Sequence, residues 1–267
     1  MKLTVLVDNN TYIDQYFLGE PAVSYCIEEE GIMLLFDLGY SDVYLRNAHS
    51  MGINLAKLNA VVLSHGHDDH TGGLASFPSL GHTVKLFGHP EVLGRKRMGS
   101  LAICSPIQAE QIKDKFTLCL SRDPVNITPN LIFLGEIERT NDFENRIPIG
   151  ECQCGGCWSP DYLLDDSALI YRKKEGIFVI TGCSHAGICN IIEYAKKVTG
   201  EANVLGVIGG FHLFDARSEQ LARTIEYFKQ QNITCLYPCH CTSFAARAAI
   251  HREIPVTEVG VGLTLDW

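Results

Sequence analysis

The stretch that decides the fold is His65-Gly66-His67-Asp68-Asp69-His70, which directly follows the apolar run Ala60-Val61-Val62-Leu63. Residues two apart in an extended chain point the same way, so the first two histidines of the stretch can bind one cation together. The last Asp and His lie beyond the turn and can face a second cation. The alternative is a polar surface loop, but three His and two Asp after a buried strand are costly unless something pairs them.

Composition limits the class of protein. The chain has 267 residues, of which 46% are apolar and 20% charged, which predicts a large buried core and one α/β domain over residues 1–267. The formal net charge of −9 argues against nucleic-acid binding and favours a small-molecule substrate. The N-terminal segment lacks a signal-peptide core, and no apolar run approaches the roughly 20 residues of a membrane span. We therefore expect a cytoplasmic protein without a membrane partner.

Eleven cysteines in a chain without a predicted export signal indicate thiol or metal roles rather than disulfides. Three of them, Cys152, Cys154 and Cys157, stand within six residues, but a closed zinc site or cluster normally needs four ligands. The prediction is a thiol-rich loop near the cleft. It lies within residues 97–160, where prolines separate short apolar pieces; this segment is predicted to be an insertion that forms either a substrate wall or an edge hairpin without a role in binding.

Residues 65–70 carry the H-x-H-x-D-H signature, so the chain resembles the metallo-β-lactamase superfamily of metal-dependent hydrolases. The resemblance implies a four-layer αββα sandwich of two similar halves, with one or two divalent cations at one edge between the sheets. Zinc is expected, and manganese and iron are alternatives. A closer resemblance is to the branch described as 7,8-dihydropterin-6-methyl-4-(β-D-ribofuranosyl)aminobenzene-5′-phosphate synthases. It rests on the segments Val7-Asp8-Asn9-Asn10, Asp165-Asp166-Ser167-Ala168-Leu169, Thr181-Gly182-Cys183-Ser184-His185-Ala186-Gly187, Gly209-Gly210-Phe211-His212-Leu213 and Cys239-His240-Cys241-Thr242.

The resemblance also implies where the later ligands lie. The last ligand motif of the superfamily is a His after the penultimate strand, and His240 matches it. The third motif usually places a His before a pair of strands, where this chain has Asp165-Asp166. We predict that His185, after the second strand of that pair, supplies the missing imidazole, because Cys183 and His185 share a face if the segment is extended. Asp165, Asp166 and Cys183 stay open as further ligands.

Two residues are predicted to act beside the ligands. His212 follows Gly209-Gly210, which allow close approach of a ligand, and in ribonuclease-Z-like branches a comparable His works on substrate oxygens. We therefore assign His212, together with Asp69, to catalysis; metal binding by His212 is the alternative. Asp37, at the end of the strand Ile32 to Phe36, is predicted either to orient a ligand or simply to begin a helix.

The expected reaction is hydrolysis by a metal-bound hydroxide, because two cations lower the pKa of a water and stabilise charge on a phosphoryl or carbonyl oxygen. A small phosphorylated or cyclic-phosphate substrate, such as a dihydropterin derivative, suits such a site. Thioester or lactone hydrolysis in a more apolar pocket is one alternative, and a nonhydrolytic iron-binding redox or sensing protein is another. Apolar spacing further predicts helices at 42–51, 187–198 and 219–230 and a closing strand at 256–265.

Overall fold

The computed structural model describes residues 1–267, with Cys154 described by its backbone only, so the side chain of that predicted thiol lies outside the described residues. The strands, in chain order, are β1 (Lys2–Val7), β2 (Ser24–Glu29), β3 (Ile32–Phe36), β4 (Ala60–Val62), β5 (Val84–Gly88), β6 (Lys96–Met98), β7 (Leu101–Ala102), β8 (Phe116–Leu120), β9 (Val125–Asn126), β10 (Leu131–Phe133), β11 (Glu151–Cys154), β12 (Cys157–Pro160), β13 (Ala168–Lys173), β14 (Gly176–Thr181), β15 (Val204–Gly210), β16 (Leu236–Cys239) and β17 (Thr264–Asp266). The helices are α1 (Val43–Ser50), α2 (Asp68–Thr71), α3 (Ile188–Thr199), α4 (Ser218–Gln230) and α5 (Phe244–Glu253).

Two main sheets carry most of the strands. The first sheet has the order β17-β1-β2-β3-β4-β5-β8, and the second has the order β16-β15-β14-β13-β10-β9. Each contains a hairpin whose second strand is followed by a helix and a parallel strand: β2–β3, α1 and β4 in the first, β13–β14, α3 and β15 in the second. In the β2–β3 hairpin the two loop residues, Glu30 and Gly31, both have positive φ, as a two-residue turn that matches strand twist requires.

The two sheets stack face to face, with helices on both outer surfaces. One apolar cluster lies between the sheets and includes Phe36 of the first and Ile180 of the second. A second cluster packs Tyr44 of α1 on the outer face of the first sheet. A third packs α3, α4 and α5 on the outer face of the second sheet, through residues such as Ile191 and Phe228. The predicted four-layer αββα sandwich of two similar halves is confirmed.

Residues 97–160, the segment predicted as an insertion, are divided among three sheets. Strand β8 extends the first sheet, and β9 and β10 extend the second. Only residues 96–102 and 151–160 form a separate four-stranded sheet, called the small sheet here, with the order β12-β11-β6-β7. The small sheet therefore takes up only part of the segment that was predicted to be an insertion. Short apolar pieces between the prolines, such as Leu131–Phe133, pair instead with strands of the main sheets.

Two elements near the C-terminus differ from the predictions. Helix α5 was not predicted; Ser243 caps it by accepting a hydrogen bond from the Ala246 backbone N–H at 3.2 Å. The predicted closing strand at 256–265 is reduced to Thr264–Asp266, because Gly262 has a φ of +96° and the Leu263 N–H closes a turn onto Gly260. Among the described residues, none of the helices has the length and apolar character needed to cross a membrane.

Candidate metal centre

The candidate ligands stand at strand ends that meet at one edge of the sandwich. Asp37 follows β3 and the 65–70 stretch follows β4, which is parallel to β3. Cys183, His212 and His240 follow the parallel strands β14, β15 and β16. Four residues at these ends have a left-handed backbone that non-glycine residues rarely adopt: Asp37, Ser184, His212 and His240. Such conformations are concentrated at functional sites.

The first group of ligands consists of three histidines, His65, His67 and His185, all buried. The Nε2 atom of His65 lies 3.2 Å from Nδ1 of His67 and 3.1 Å from Nε2 of His185. Three imidazoles whose nitrogens converge in this way cannot all satisfy one another, because neutral imidazole has one donor and one acceptor. A cation between them would accept all three lone pairs.

The second group consists of Asp69, His70, Cys183 and His240. The Nε2 atom of His70 lies 3.1 Å from Sγ of Cys183 and 3.4 Å from Oδ2 of Asp69. The same Asp69 oxygen lies 3.1 Å from Nε2 of His240. That His240 nitrogen has no aligned hydrogen-bond partner among the described side chains, as expected for two ligands that face a common cation.

Three ligand histidines are held in the tautomer that metal binding requires. Nδ1 of His70 donates to Oδ2 of Asp37 at 2.6 Å, and Nδ1 of His240 donates to Oδ1 of Asn9 at 3.1 Å. The Ser64 hydroxyl donates its single proton to Asp37, so at 2.9 Å it accepts the Nδ1 proton of His65. In the neutral form of each ring, the Nε2 atom is therefore left with its lone pair directed at the centre. Of the two roles predicted for Asp37, these contacts match the one in which it orients a ligand.

Asp165 and Asp166 lie behind the first group and belong to neither group of ligand atoms in the described part of the chain. One oxygen of Asp165 accepts the Gly66 N–H at 2.8 Å, and one oxygen of Asp166 accepts the Ala186 N–H at 2.7 Å. Burial raises the pKa of Asp166 to about 7. The two carboxylates therefore support the loops that carry His65, His67 and His185.

Cys183 and His185 reach different groups because the chain turns between them. Ser184 has a φ of +59°, and its Oγ donates to the Gly210 carbonyl at 2.6 Å. The prediction of an extended segment with both side chains on one face is therefore wrong in its geometry. The turn places Cys183 with His70 and places His185 with His65.

The ionisation of the first group suits metal binding. Burial, reinforced by neighbouring imidazoles, lowers the pKa of His65 and His185 well below the ordinary value. Burial likewise lowers the pKa of His67, to about 4. These three rings are therefore neutral near pH 7 and have lone pairs to offer. In the second group, burial lowers the pKa of His70, but the charges of Asp69 and Asp37 outweigh it and raise that pKa, so a cation that binds there displaces the ring proton.

Unpaired buried atoms provide an independent test of whether a cation fits. Among the described side chains of the two groups, His240 Nε2 faces Asp69 in the second group and is buried without an aligned hydrogen-bond partner. Such atoms are costly in a protein interior unless something compensates them. The donor set of imidazoles, a carboxylate and a thiol fits one or two divalent cations.

His212 lies beside the first group and belongs to neither group of ligand atoms among the described residues. Its ring centroid is 4.3 Å from that of His185, and its backbone N–H donates to Sγ of Cys241 at 3.3 Å. Its Nδ1 atom is buried and unpaired in the described part of the chain. Burial lowers the pKa of His212. The hydrogen bond with Cys241 and the negative charge of the Cys241 thiolate outweigh burial, however, and raise that pKa above its ordinary value.

A cleft of about 760 Å³ opens above both groups. Met98 of the small sheet, Ile147 and Phe214 line it, so residues of the 97–160 segment form one wall. Two arginines with exposed side chains, Arg146 and Arg217, also line it. Sequence reasoning missed both arginines, because isolated basic residues in loops carry no recognisable pattern.

The cysteines of the predicted thiol-rich loop lie on paired strands of the small sheet. Cys152 is on β11 and Cys157 is on β12, and neither lines the cleft. The register pairs Cys154 with Cys157, so only Gly155 and Gly156 form the turn. Among the described side chains, neither Cys152 nor Cys157 belongs to a group that could hold a metal.

The chain is similar to known proteins in both sequence and fold. The family model described as the metallo-beta-lactamase superfamily matches residues 18–101. The chain is 30% identical to the 7,8-dihydropterin-6-methyl-4-(beta-D-ribofuranosyl)-aminobenzene-5′-phosphate synthase of Methanocaldococcus jannaschii, over 95% of this chain and 91% of that protein. The crystal structure of Tm1679, described as a metal-dependent hydrolase of the beta-lactamase superfamily, has a TM-score of 0.85 at 29% identity, over 100% of this chain and 99% of the other. Zinc-bound PqqB from Methylobacterium extorquens shares the fold, with a TM-score of 0.58 at 12% identity over 100% of both chains.

Proposed function

Because the chain belongs to the metallo-β-lactamase superfamily, in the branch that includes the M. jannaschii synthase, we propose that it hydrolyses a small phosphorylated substrate with the help of divalent cations. The proposal rests on the arrangement of side chains at the floor of the cleft. Two groups of ligand atoms lie there side by side, and in each group all atoms are within 4.8 Å of one another. The Nδ1 contacts of His70 and His240 leave the Nε2 lone pairs of their neutral rings directed inward.

Each group of ligands would hold one cation. His65, His67 and His185 would hold one, and Asp69, His70, Cys183 and His240 would hold the other. A site that combines imidazoles with a thiolate favours zinc, which supports zinc over manganese or iron. When bound, such cations lower the pKa of a water and offset the negative charge that develops on a phosphoryl oxygen.

His212 acts on the substrate in this proposal. It lines the cleft beside His185, and the left-handed backbone at His212 together with the N–H bond to Cys241 holds its position. A histidine placed at the edge of the ligand groups can donate a proton to the leaving oxygen or stabilise charge there. Asp69, which faces both His70 and His240, helps to fix the second group.

The walls of the cleft support a substrate with an anionic end and a planar ring. Arg146 and Arg217 can each form charge-assisted hydrogen bonds with phosphate oxygens. Phe143, Ile147 and Phe214 offer apolar surface on which a ring can stack. The name of the M. jannaschii relative contains a dihydropterin and a 5′-phosphate, and a dihydropterin phosphate is the substrate class we propose.

The apolar wall favours a second candidate, a thioester or lactone hydrolase. Met98, Ile103 and Ile147 line the same cleft and would suit an acyl chain. In that case the two arginines would have no anionic partner, which makes this the weaker proposal.

An activity panel separates these candidates. The metal-analysed protein should be assayed with bis(p-nitrophenyl) phosphate and dihydropterin phosphates on one side, and with lactones and thioesters on the other. We expect turnover of the phosphate esters that depends on zinc and is lost on chelation. Exclusive turnover of acyl substrates would overturn the proposal, and an iron-type visible spectrum without any hydrolysis would favour the nonhydrolytic alternative.

A further inference from the structure

A buried lysine lies under the metal-binding turn. Lys96, on β6 of the small sheet, is 3% exposed, and its Nζ lies 2.8 Å from Oδ2 of Asp161 and 2.8 Å from Oδ1 of Asp165. Lysine is almost never fully buried unless it is paired, because removing its charge from water is costly. Three charged side chains are therefore gathered here in the protein interior, outside the two groups of metal ligands.

One of the two carboxylates continues into the metal site. Asp165 uses its other oxygen to accept the backbone N–H of Gly66 at 2.8 Å. Gly66 stands between His65 and His67, so this bond sets the backbone on which both ligands are mounted. A Cβ atom at Gly66 would lie 2.4 Å from the Val92 carbonyl oxygen and 3.0 Å from Cε of Lys96. The turn therefore packs directly against the lysine.

Backbone hydrogen bonds join the same turn to the wall of the cleft. The Ile103 N–H donates to the Lys96 carbonyl at 3.1 Å, and the Asp68 N–H donates to the Ile103 carbonyl at 3.2 Å. His67 also forms a β-bridge with Cys104. Met98, two residues after Lys96, and Ile103 both line the cleft. The strand that carries Lys96 thus contacts both the substrate wall and the ligand turn.

We propose that Lys96 is a positioning residue that presets the His65–His67 pair for its cation and couples this pair to the small sheet. By neutralising Asp165 and Asp161, the ammonium holds Asp165 where it accepts the Gly66 N–H. Without this charge the two buried carboxylates repel each other, and Asp165 is drawn away from Gly66. The inference rests on the metal-binding part of the proposed function and not on the identity of the substrate.

The two aspartates provide a matched pair of variants. Both contact Lys96 at 2.8 Å, and each also accepts one backbone N–H, of Leu163 for Asp161 and of Gly66 for Asp165. The changes Asp161→Asn and Asp165→Asn remove the same charge from the same cluster with little change in volume. Only the second disturbs the metal-binding turn.

The test titrates each purified full-length variant with Co²⁺ alone, followed by competition with a chelator. Cys183 is the only sulfur ligand in either group, so a thiolate-to-cobalt absorption band reports the second group. We expect Asp165→Asn to weaken Co²⁺ binding at the first group by about 10- to 100-fold, which is the usual effect of losing a residue that orients a ligand. The thiolate band of the second group should be retained. Asp161→Asn should stay within about 3-fold of wild type, as should Lys96→Arg, which keeps the charge.

Three results would overturn the inference. Equal losses in the two Asn variants would make the cluster merely structural, and so would a parallel loss of the thiolate band in Asp165→Asn. Unchanged binding in Asp165→Asn would show that the Gly66 contact does not matter. In each case the proposed function stands, whereas a wild-type protein that binds no Co²⁺ at all would overturn both.

Discussion

Cys183 and His185 are two residues apart, yet their side chains belong to different groups of metal ligands. Sγ of Cys183 lies 3.1 Å from Nε2 of His70, whereas Nε2 of His185 lies 3.1 Å from Nε2 of His65. The left-handed backbone of Ser184 between them causes this division, because it turns the chain so that the two side chains point in different directions. A single loop thus completes both groups.

The first prediction follows from this division. Cys183→Ala should remove one equivalent of zinc and leave the first group filled, and His185→Ala should remove one equivalent and leave the second group filled. The double variant should retain little of either. Native mass spectrometry of the purified proteins measures the stoichiometry. If one of the single variants kept both equivalents, that residue would not be a ligand. Cys235→Ala, which removes an exposed thiol outside both groups, serves as the control that should keep both.

The second prediction concerns His212. Because it lies outside both groups of ligand atoms, His212→Ala should keep its full zinc content and lose turnover by roughly 100-fold or more, as removal of a general acid or electrostatic stabiliser usually does. Steady-state kinetics with a phosphate ester, together with metal analysis, measures both quantities. His49→Ala, an exposed substitution on α1, is the matched control. Loss of a zinc equivalent in His212→Ala would instead make it a ligand.

The third prediction concerns the arginines of the cleft. If Arg146 and Arg217 bind the phosphate in the ground state, each Ala variant should raise KM for a phosphorylated substrate by about 10-fold and change kcat little. A neutral ester substrate should show no such change. The Lys variants should recover part of the loss, because lysine keeps the charge but not the planar fork. Unaltered KM in both Ala variants would rule out this role.

The fourth prediction is the pH dependence of stability at Lys96. Burial lowers the pKa of Lys96, but the carboxylates of Asp165 and Asp161 outweigh it and raise that pKa above the ordinary value. A lysine of this kind contributes stability that is fully present below its unfolded pKa, about 10.4, and is lost as the pH rises toward the folded pKa. Lys96→Met should therefore lower the free energy of unfolding by about 3–5 kcal/mol near neutral pH.

That difference should be constant from pH 7 to about pH 10 and should shrink above it. Urea unfolding of the metal-loaded wild type and variant at a series of pH values measures it. Lys174→Met, which changes an exposed lysine of the β13–β14 hairpin, should show almost no difference at any pH. A Lys96→Met effect that grew with pH would contradict the expected linkage.

Much of the site could be predicted because its chemistry is local. His65, His67, Asp69 and His70 stand within six residues, and the apolar run before them marks a buried strand. His240 directly follows such a strand and His185 comes shortly after one, and the carboxyl ends of parallel strands meet at one edge of a sheet. The two helices α3 and α4 were predicted nearly to their ends because their apolar periodicity is strong, whereas α5 was missed because its alanine-rich sequence has a weak apolar stripe.

By itself, then, the sequence determined which residues are chemically able to bind metal and which strands deliver them, because spacing and periodicity act over a few residues. Only the tertiary structure decided which of these residues belong to the first group of ligands and which to the second. The Gly66–Asp165 bond joins residues 99 apart, and the His70–Cys183 contact joins residues 113 apart. No local pattern specifies such contacts, which arise from the stacking of two sheets. The same stacking put Asp165 and Asp166 behind the ligands, brought Cys183 into the second group, and buried Lys96 beneath the turn that carries the first two histidines.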